Sequence, residues 1–167
     1  WSDRFFANTF VLYSKNHDFF SSNTLINQNF TQSERIVIKD RTFFNASSKL
    51  DYYFKKISSN LKLDVGYSKS NYKNIINNSD LREVKSTNYN YGFELRSGFQ
   101  GIFNYHYGLK WSTNEIKSTI QNSFTNNISF LDLSFDFNSK VNVQLQNERY
   151  FFGDIDNGNN TYYFMDL

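Results

Sequence analysis

Residues 43–69 alternate with a period of two. Ala46, Ser48, Leu50, Tyr52 and Phe54 form one set, and Asn45, Ser47, Lys49, Asp51 and Tyr53 form the other. After Lys55–Ser58 the alternation resumes, with Leu61, Leu63, Val65 and Tyr67 set against Asn60, Lys62, Asp64, Gly66 and Ser68. Successive side chains on a β-strand point to opposite faces, so this pattern predicts two strands with unlike faces. A short polar link between them makes an antiparallel hairpin.

The hairpin also predicts its own register. Pairing Phe54 with Ser59 sets Asp51 opposite Lys62 and Lys49 opposite Asp64. On the other face the same pairing sets Tyr52 opposite Leu61, Leu50 opposite Leu63 and Ala46 opposite Tyr67. Each such pair contributes roughly 0.2–1 kcal/mol. A slip of one residue would carry the charges onto the apolar face, which fixes the register.

Alternation continues along the chain. Phe5, Ala7, Thr9, Val11 and Tyr13 begin a strand over residues 4–14, and Lys15–Asp18 has turn composition. Residues 19–31 read as a polar strand and residues 32–40 as a loop or hairpin extension. Thr87, Tyr89, Tyr91, Phe93 and Leu95 answer Phe103, Tyr105, Tyr107, Leu109 and Trp111, with Leu95 opposite Phe103 and Tyr91 opposite Tyr107 as the expected register. Leu131, Leu133, Phe135 and Phe137 precede Val141, Val143 and Leu145, and residues 161–167 begin a last strand. The count is about nine strands of about 10–14 residues, longer than the usual five or six. Pro is absent, so no ladder loses a donor.

Aromatic residues make up 20 % of the chain, a composition suited to sheets. Mean hydropathy is −0.63, and no apolar run reaches the roughly 20 residues of a membrane helix. That says nothing against a barrel, whose strands are apolar on one face only. The net charge is +2 with no Lys/Arg block, which gives no footing for a nucleic-acid partner. Cys is absent, so there is neither a disulfide framework nor a thiolate metal site.

Short links at 55–58, 98–100 and 138–140 alternate with long polar loops expected at 70–86, 113–126 and 151–160. Short turns on one side and long loops on the other are the habit of outer-membrane barrels. The fold expected is therefore all-β, an antiparallel up-and-down meander of long strands forming part of a transmembrane β-barrel. The fragment itself should be an open, curved sheet. Leu61, Leu63, Val65, Tyr67, Tyr91, Phe93, Leu95, Phe103, Tyr105, Tyr107, Leu133 and Phe135 are expected to face lipid. Lys62, Asp64, Glu94, Arg96, Asn104, His106, Lys110, Asp132, Asp136 and Glu148 are expected to face the lumen. Their mixed signs predict no strong ion selectivity.

The stretch from Leu50 to Leu63, LDYYFKKISSNLKL, resembles the C-terminal barrel region of TonB-dependent receptors, in the group that carries a carboxypeptidase-like regulatory domain. Asn160–Leu167, NTYYFMDL, is similar to a strand near the end of such barrels. The resemblance spans most of the chain in style, without an invariant motif. It implies an outer-membrane receptor of a Gram-negative bacterium that imports nutrients through a barrel of about 22 strands. It also implies lipid as surroundings, a TonB system acting through a plug domain that residues 1–167 do not include, and a surface lipoprotein as a further partner. The chain is then expected to be one partial barrel segment cut from a longer protein, with no ladder between its ends. Two alternatives remain open at this point: a self-contained small barrel acting as a pore or structural protein, and a secreted all-β domain that binds glycans.

Catalytic signals are weak. His106 is expected near Glu94 and Gly92, but no Ser or Asp is placed by a motif to complete a hydrolytic site. Asp154–Asn160 resembles the start of a calcium loop but has Asn159 at the sixth position and Met165 at the twelfth, where Gly and Glu are needed. Tyr150, Phe151, Phe152 and Tyr162 are expected as girdle residues at a membrane edge, with sugar stacking as the alternative. The expectation is a non-enzyme without cofactor or metal.

Overall fold

The structure is a computed structural model that describes residues 4–76, 80–98, 101–138, 141–153 and 160–167. Eight strands form one sheet: β1 (Phe5–Ile26), β2 (Thr31–Phe54), β3 (Ser59–Ile76), β4 (Arg82–Ser97), β5 (Phe103–Lys117), β6 (Gln121–Asn138), β7 (Val141–Phe152) and β8 (Thr161–Asp166). They lie in sequence order, each antiparallel to the next. Among the described residues no ladder joins β1 to β8, so the sheet is open.

The β2–β3 hairpin has the register that its charges demand. Asp51 pairs with Lys62, Lys49 with Asp64, Tyr52 with Leu61 and Ala46 with Tyr67. A single 3-10 turn, Lys55–Ile57, closes it, and Ser58 takes the left-handed conformation at φ 47°.

Other expectations need correction. Lys15–Asp18 is not a turn. It lies inside β1, where Asn16 pairs with Arg41 and Asp18 with Lys39. The irregularity there is local: Asp40 has φ 65°, and its carboxylate lies 3.5 Å from the His17 ring. Residues 32–40 are the other arm of the same hairpin. The polar stretches at 70–86 and 113–126 are mostly strand. β3 continues to Ile76 and β4 starts at Arg82, while only residues 118–120 separate β5 from β6. Both faces of these extensions are polar, so no alternation marked them.

The β4–β5 register also differs. Leu95 pairs with Tyr107 and Tyr91 with Trp111. Each apolar face survives, because the offset from the expected register is an even number of residues. Asn104, 2 % exposed, donates to the Gly101 carbonyl at 3.0 Å and to Asp136 at 3.2 Å, and accepts from Ser97 Oγ at 3.3 Å. These bonds hold Asn104 against Ser97 beyond the last β4–β5 pair, Arg96 with His106. Residues 154–159 of the calcium-like loop, and 99–100 and 139–140 of the short links, lie outside the described residues.

At its upper end the β1–β2 hairpin leaves the meander. The β2–β3 ladder stops at Thr42–Asn71, and the outer edge of β1 then meets the end of β3 in parallel, Asn23 with Ile75 and Thr24 with Ile76. The only buried apolar side chains among the described residues, Ile38 and Val84, belong to this end of the sheet. Elsewhere the sheet is a single layer. It exposes 12268 Å², against about 8,600 Å² for a compact monomer of its mass.

Candidate functional site: the two faces of the sheet

The registers sort the side chains into two faces. Leu61, Leu63, Val65, Tyr67, Tyr91, Phe93, Leu95, Phe103, Tyr105, Tyr107, Leu133 and Phe135 share one face. Lys62, Asp64, Glu94, Arg96, Asn104, His106, Lys110, Asp132 and Asp136 share the other.

The apolar face carries a charge-free band, delimited by its apolar residues; on β6 the uncharged stretch of this face continues from Leu131 through Ser129 to Gln121. The band comprises Phe5–Tyr13 on β1, Phe44–Phe54 on β2, Leu61–Tyr67 on β3, Tyr89–Leu95 on β4, Phe103–Trp111 on β5, Leu131–Phe137 on β6 and Val141–Leu145 on β7, taking alternate residues. Val65, Tyr91 and Phe103 in this band are 58 %, 46 % and 47 % exposed. Aromatic contacts tie its strands together: Tyr67 to Tyr89 at 5.2 Å, Tyr91 stacked on Trp111 at 5.9 Å and Phe103 to Phe135 at 4.9 Å.

The band crosses the ladder obliquely. Thr9, mid-band on β1, is level with Ser48, Val65, Tyr91, Trp111, Asn127 and Phe151 on the successive strands. On β7 the band is centred on Val143, about eight residues from Phe151, and the drift is concentrated between β4 and β7. Averaged over the six steps it is about 1.3 residues per strand. With a rise of about 3.4 Å and a strand spacing of about 4.8 Å this mean corresponds to about 40–45°, although the band runs nearly square to β1–β4 and steps steeply between β4 and β6. Above the band this face turns polar: Asn127, 3 % exposed, accepts from Arg149 at 3.3 Å and donates to the Lys110 carbonyl.

All three glycines within strands, Gly66, Gly92 and Gly108, lie on the polar face. Each is covered from the neighbouring strand, Gly66 by Asn90, Gly92 by Asp64 and Gly108 by Phe130, and none has room for a Cβ. Side chains crowd on the concave side of a curved sheet, and glycine there lets the strands bend.

His106 sits mid-face between two carboxylates, with Nε2 3.6 Å from Glu94 and Nδ1 3.5 Å from Asp132. Its ring meets the Phe130 ring edge-on at 4.8 Å. Lys110 Nζ lies 3.3 Å from the other Glu94 oxygen. The expected approach to Glu94 is present, made diagonally across the ladder; His106 itself pairs with Arg96, and Gly92 pairs with Lys110. Beside this network an open polar groove runs between β5 and β7, lined by Asn104, His106, Asp132, Asp136, Asn142 and Gln144. The arrangement presents fixed charges and amides to water. Among the described residues no three His, Asp or Glu side chains could hold a metal ion together.

The aromatic residues around 150–162 divide between the faces. Tyr150 and Phe152, with Tyr162 and Phe164, fall on the polar face, and Phe151 falls on the apolar one. Tyr150 meets Phe164 edge-on at 5.7 Å and donates to Glu148 at 2.7 Å. A girdle position for Tyr150, Phe152 and Tyr162 would have required the apolar face. Ser59, Ser97 and Asn127, all buried, were not legible as structural residues, because small polar side chains inside a strand carry no burial signal of their own.

Comparison of the chain with protein-family models, with curated protein sequences and with solved structures returns no match.

Proposed function

We propose that this chain is a section of the wall of an outer-membrane β-barrel, with the apolar face in lipid and the polar face lining the lumen. The observation that carries the reading is the oblique charge-free band. Transmembrane strands tilt by about 35–45°, and the mean drift of the band from β1 to β7 corresponds to a similar angle, contributed mostly by β4–β6. The glycines on the polar face fit the same orientation, since small residues there let a sheet bend towards that face. A soluble domain needs a second layer to cover its apolar face, and the sheet has none among its described residues.

The parent we propose is a TonB-dependent receptor that takes up nutrients, in the outer membrane of a Gram-negative bacterium, with a surface lipoprotein as a further partner. That step rests on the resemblance of residues 50–63 and 160–167. The open sheet favours a wall section over a self-contained small barrel, which would need β1 paired with β8. With eight strands, parity does not separate the two. In this reading His106 is a lumen residue without a catalytic role.

Single cysteines at Leu63 and Asp64 test the orientation in membranes of cells that make the protein. A water-soluble maleimide should label the Asp64 site and spare the Leu63 site. Stronger labelling at Leu63 would reverse the faces and end the proposal.

A further inference from the structure

On the polar face Lys49 and Lys62 stand opposite Asp64 and Asp51 in the ladder, Lys110 lies 3.3 Å from Glu94, and the ladder partners of Arg35 and Arg41 are the uncharged Ser22 and Asn16. Arg35 and Arg41 are different. Neither forms an ion pair with a carboxylate among the described residues. Both line one open groove at the folded-over end of the β1–β2 hairpin, with Phe19, Phe20 and Tyr72 as its aromatic walls. No Asp or Glu lines this groove. The Arg41 guanidinium is held 5.5 Å from the centre of the Phe19 ring, which orients its planar fork without neutralising it.

The groove is a built feature of the hairpin. The parallel pairing of Asn23 and Thr24 with the end of β3 brings the hairpin against that strand, so that Phe19 and Tyr72 share one wall. It lies beyond the charge-free band, which ends at Tyr13 on β1 and Phe44 on β2.

We propose that this groove binds a small anion, one that carries a phosphate or carboxylate group on an apolar or aromatic body. Guanidinium groups pair with both anions in a two-pronged geometry. Aromatic walls beside two uncompensated cations favour a ligand that is flat or apolar next to its charge. The same chemistry is offered by a soluble metabolite and by a lipid headgroup, and the test separates them.

The probe is phenyl phosphate, with benzyl alcohol as the uncharged control, titrated calorimetrically into the full chain folded in a non-ionic detergent. Saturable binding of phenyl phosphate without binding of benzyl alcohol is expected. Arg35→Gln and Arg41→Gln should each weaken it about tenfold or more, since a hydrogen bond between charged partners is lost. Both variants should keep the heat-modifiable gel migration of the parent, which separates lost binding from lost folding; Arg41→Lys, which keeps the charge, serves as the second variant if Arg41→Gln does not fold. A second arm uses the chain in phosphatidylcholine vesicles with and without phosphatidylglycerol. Loss of phenyl phosphate binding on adding the anionic lipid would identify a headgroup as the ligand, and retained binding would identify a soluble one. No saturable binding to the unaltered chain, or equal binding by folded Arg35→Gln and Arg41→Gln variants, would overturn the proposal.

Discussion

Gly108 lies directly beneath the ring of Phe130 across the β5–β6 ladder, with His106 and Lys110 closing in on that ring from either side. The absence of a side chain at 108 lets the phenyl ring lie flat on the sheet, and the ring in turn supports the two basic groups that reach Glu94. Large aromatic over small glycine is a means of bending a sheet while keeping its surface filled.

Gly108→Val should therefore be costly. Forcing a branched side chain under Phe130 overpacks the site by about 1–3 kcal/mol. Urea titration of the detergent-folded chain, followed by its gel shift, should show a lower midpoint. Adding Phe130→Ala should recover part of the loss, because it removes the clashing ring. If the double variant is as unstable as the sum of the two single ones, the two residues are not coupled and the contact is not what matters.

Leu63→Arg and Lys62→Arg differ by one position and by one face. A cation at the middle of a barrel's lipid face costs about 2–4 kcal/mol, and one in the lumen costs little. The yield of heat-modifiable protein in membranes should fall for Leu63→Arg and stay level for Lys62→Arg. Equal yields would speak against lipid on the apolar face.

The β2–β3 register was legible because each face constrained it separately: Asp51 and Lys49 demanded Lys62 and Asp64, while Leu50 demanded Leu63. The β4–β5 register was not legible. Its two faces are preserved by any even shift, and the observed register places Asn104, a polar side chain whose burial has no sequence signal, beyond the last β4–β5 pair. The upper halves of β3 to β6 were hidden for a different reason. Residues such as Asn71, Lys73, Ser123 and Asn126 are polar on both faces, so the strands continue after the alternation has ended. The groove beside Arg35 and Arg41 needed the fold-over of β1 onto β3, a long-range pairing that no local pattern announces.

Asn104→Ala should loosen the turn between β4 and β5. The substitution takes an acceptor from the buried Ser97 hydroxyl and a donor from the exposed Asp136, while Ser97 keeps the Tyr105 N–H and Asp136 keeps Asn142. Losing hydrogen bonds of this kind costs about 0.5–1.5 kcal/mol each. Thermal unfolding in detergent should shift down accordingly. An unchanged midpoint would mean that water replaces the amide and that the turn is held by its backbone.

The last prediction concerns the free edges. β1 and β8 each have a neighbour on one side, apart from the two-residue contact of β1 with β3. Unpaired strand edges template association with other chains. The apolar face adds to this, since Tyr107 and its ladder partner Leu131, and Val143 further along the same face, are each more than a third exposed. An uncovered patch of this extent drives aggregation in water. Refolding the isolated chain by dilution without detergent should give aggregates, and refolding into micelles should give a dispersed species with strong β-sheet circular dichroism. Size-exclusion chromatography with light scattering distinguishes the two. A monodisperse monomer in plain buffer would mean that the apolar face is covered by the chain itself, and the wall-section reading would then have to be replaced by a soluble all-β domain.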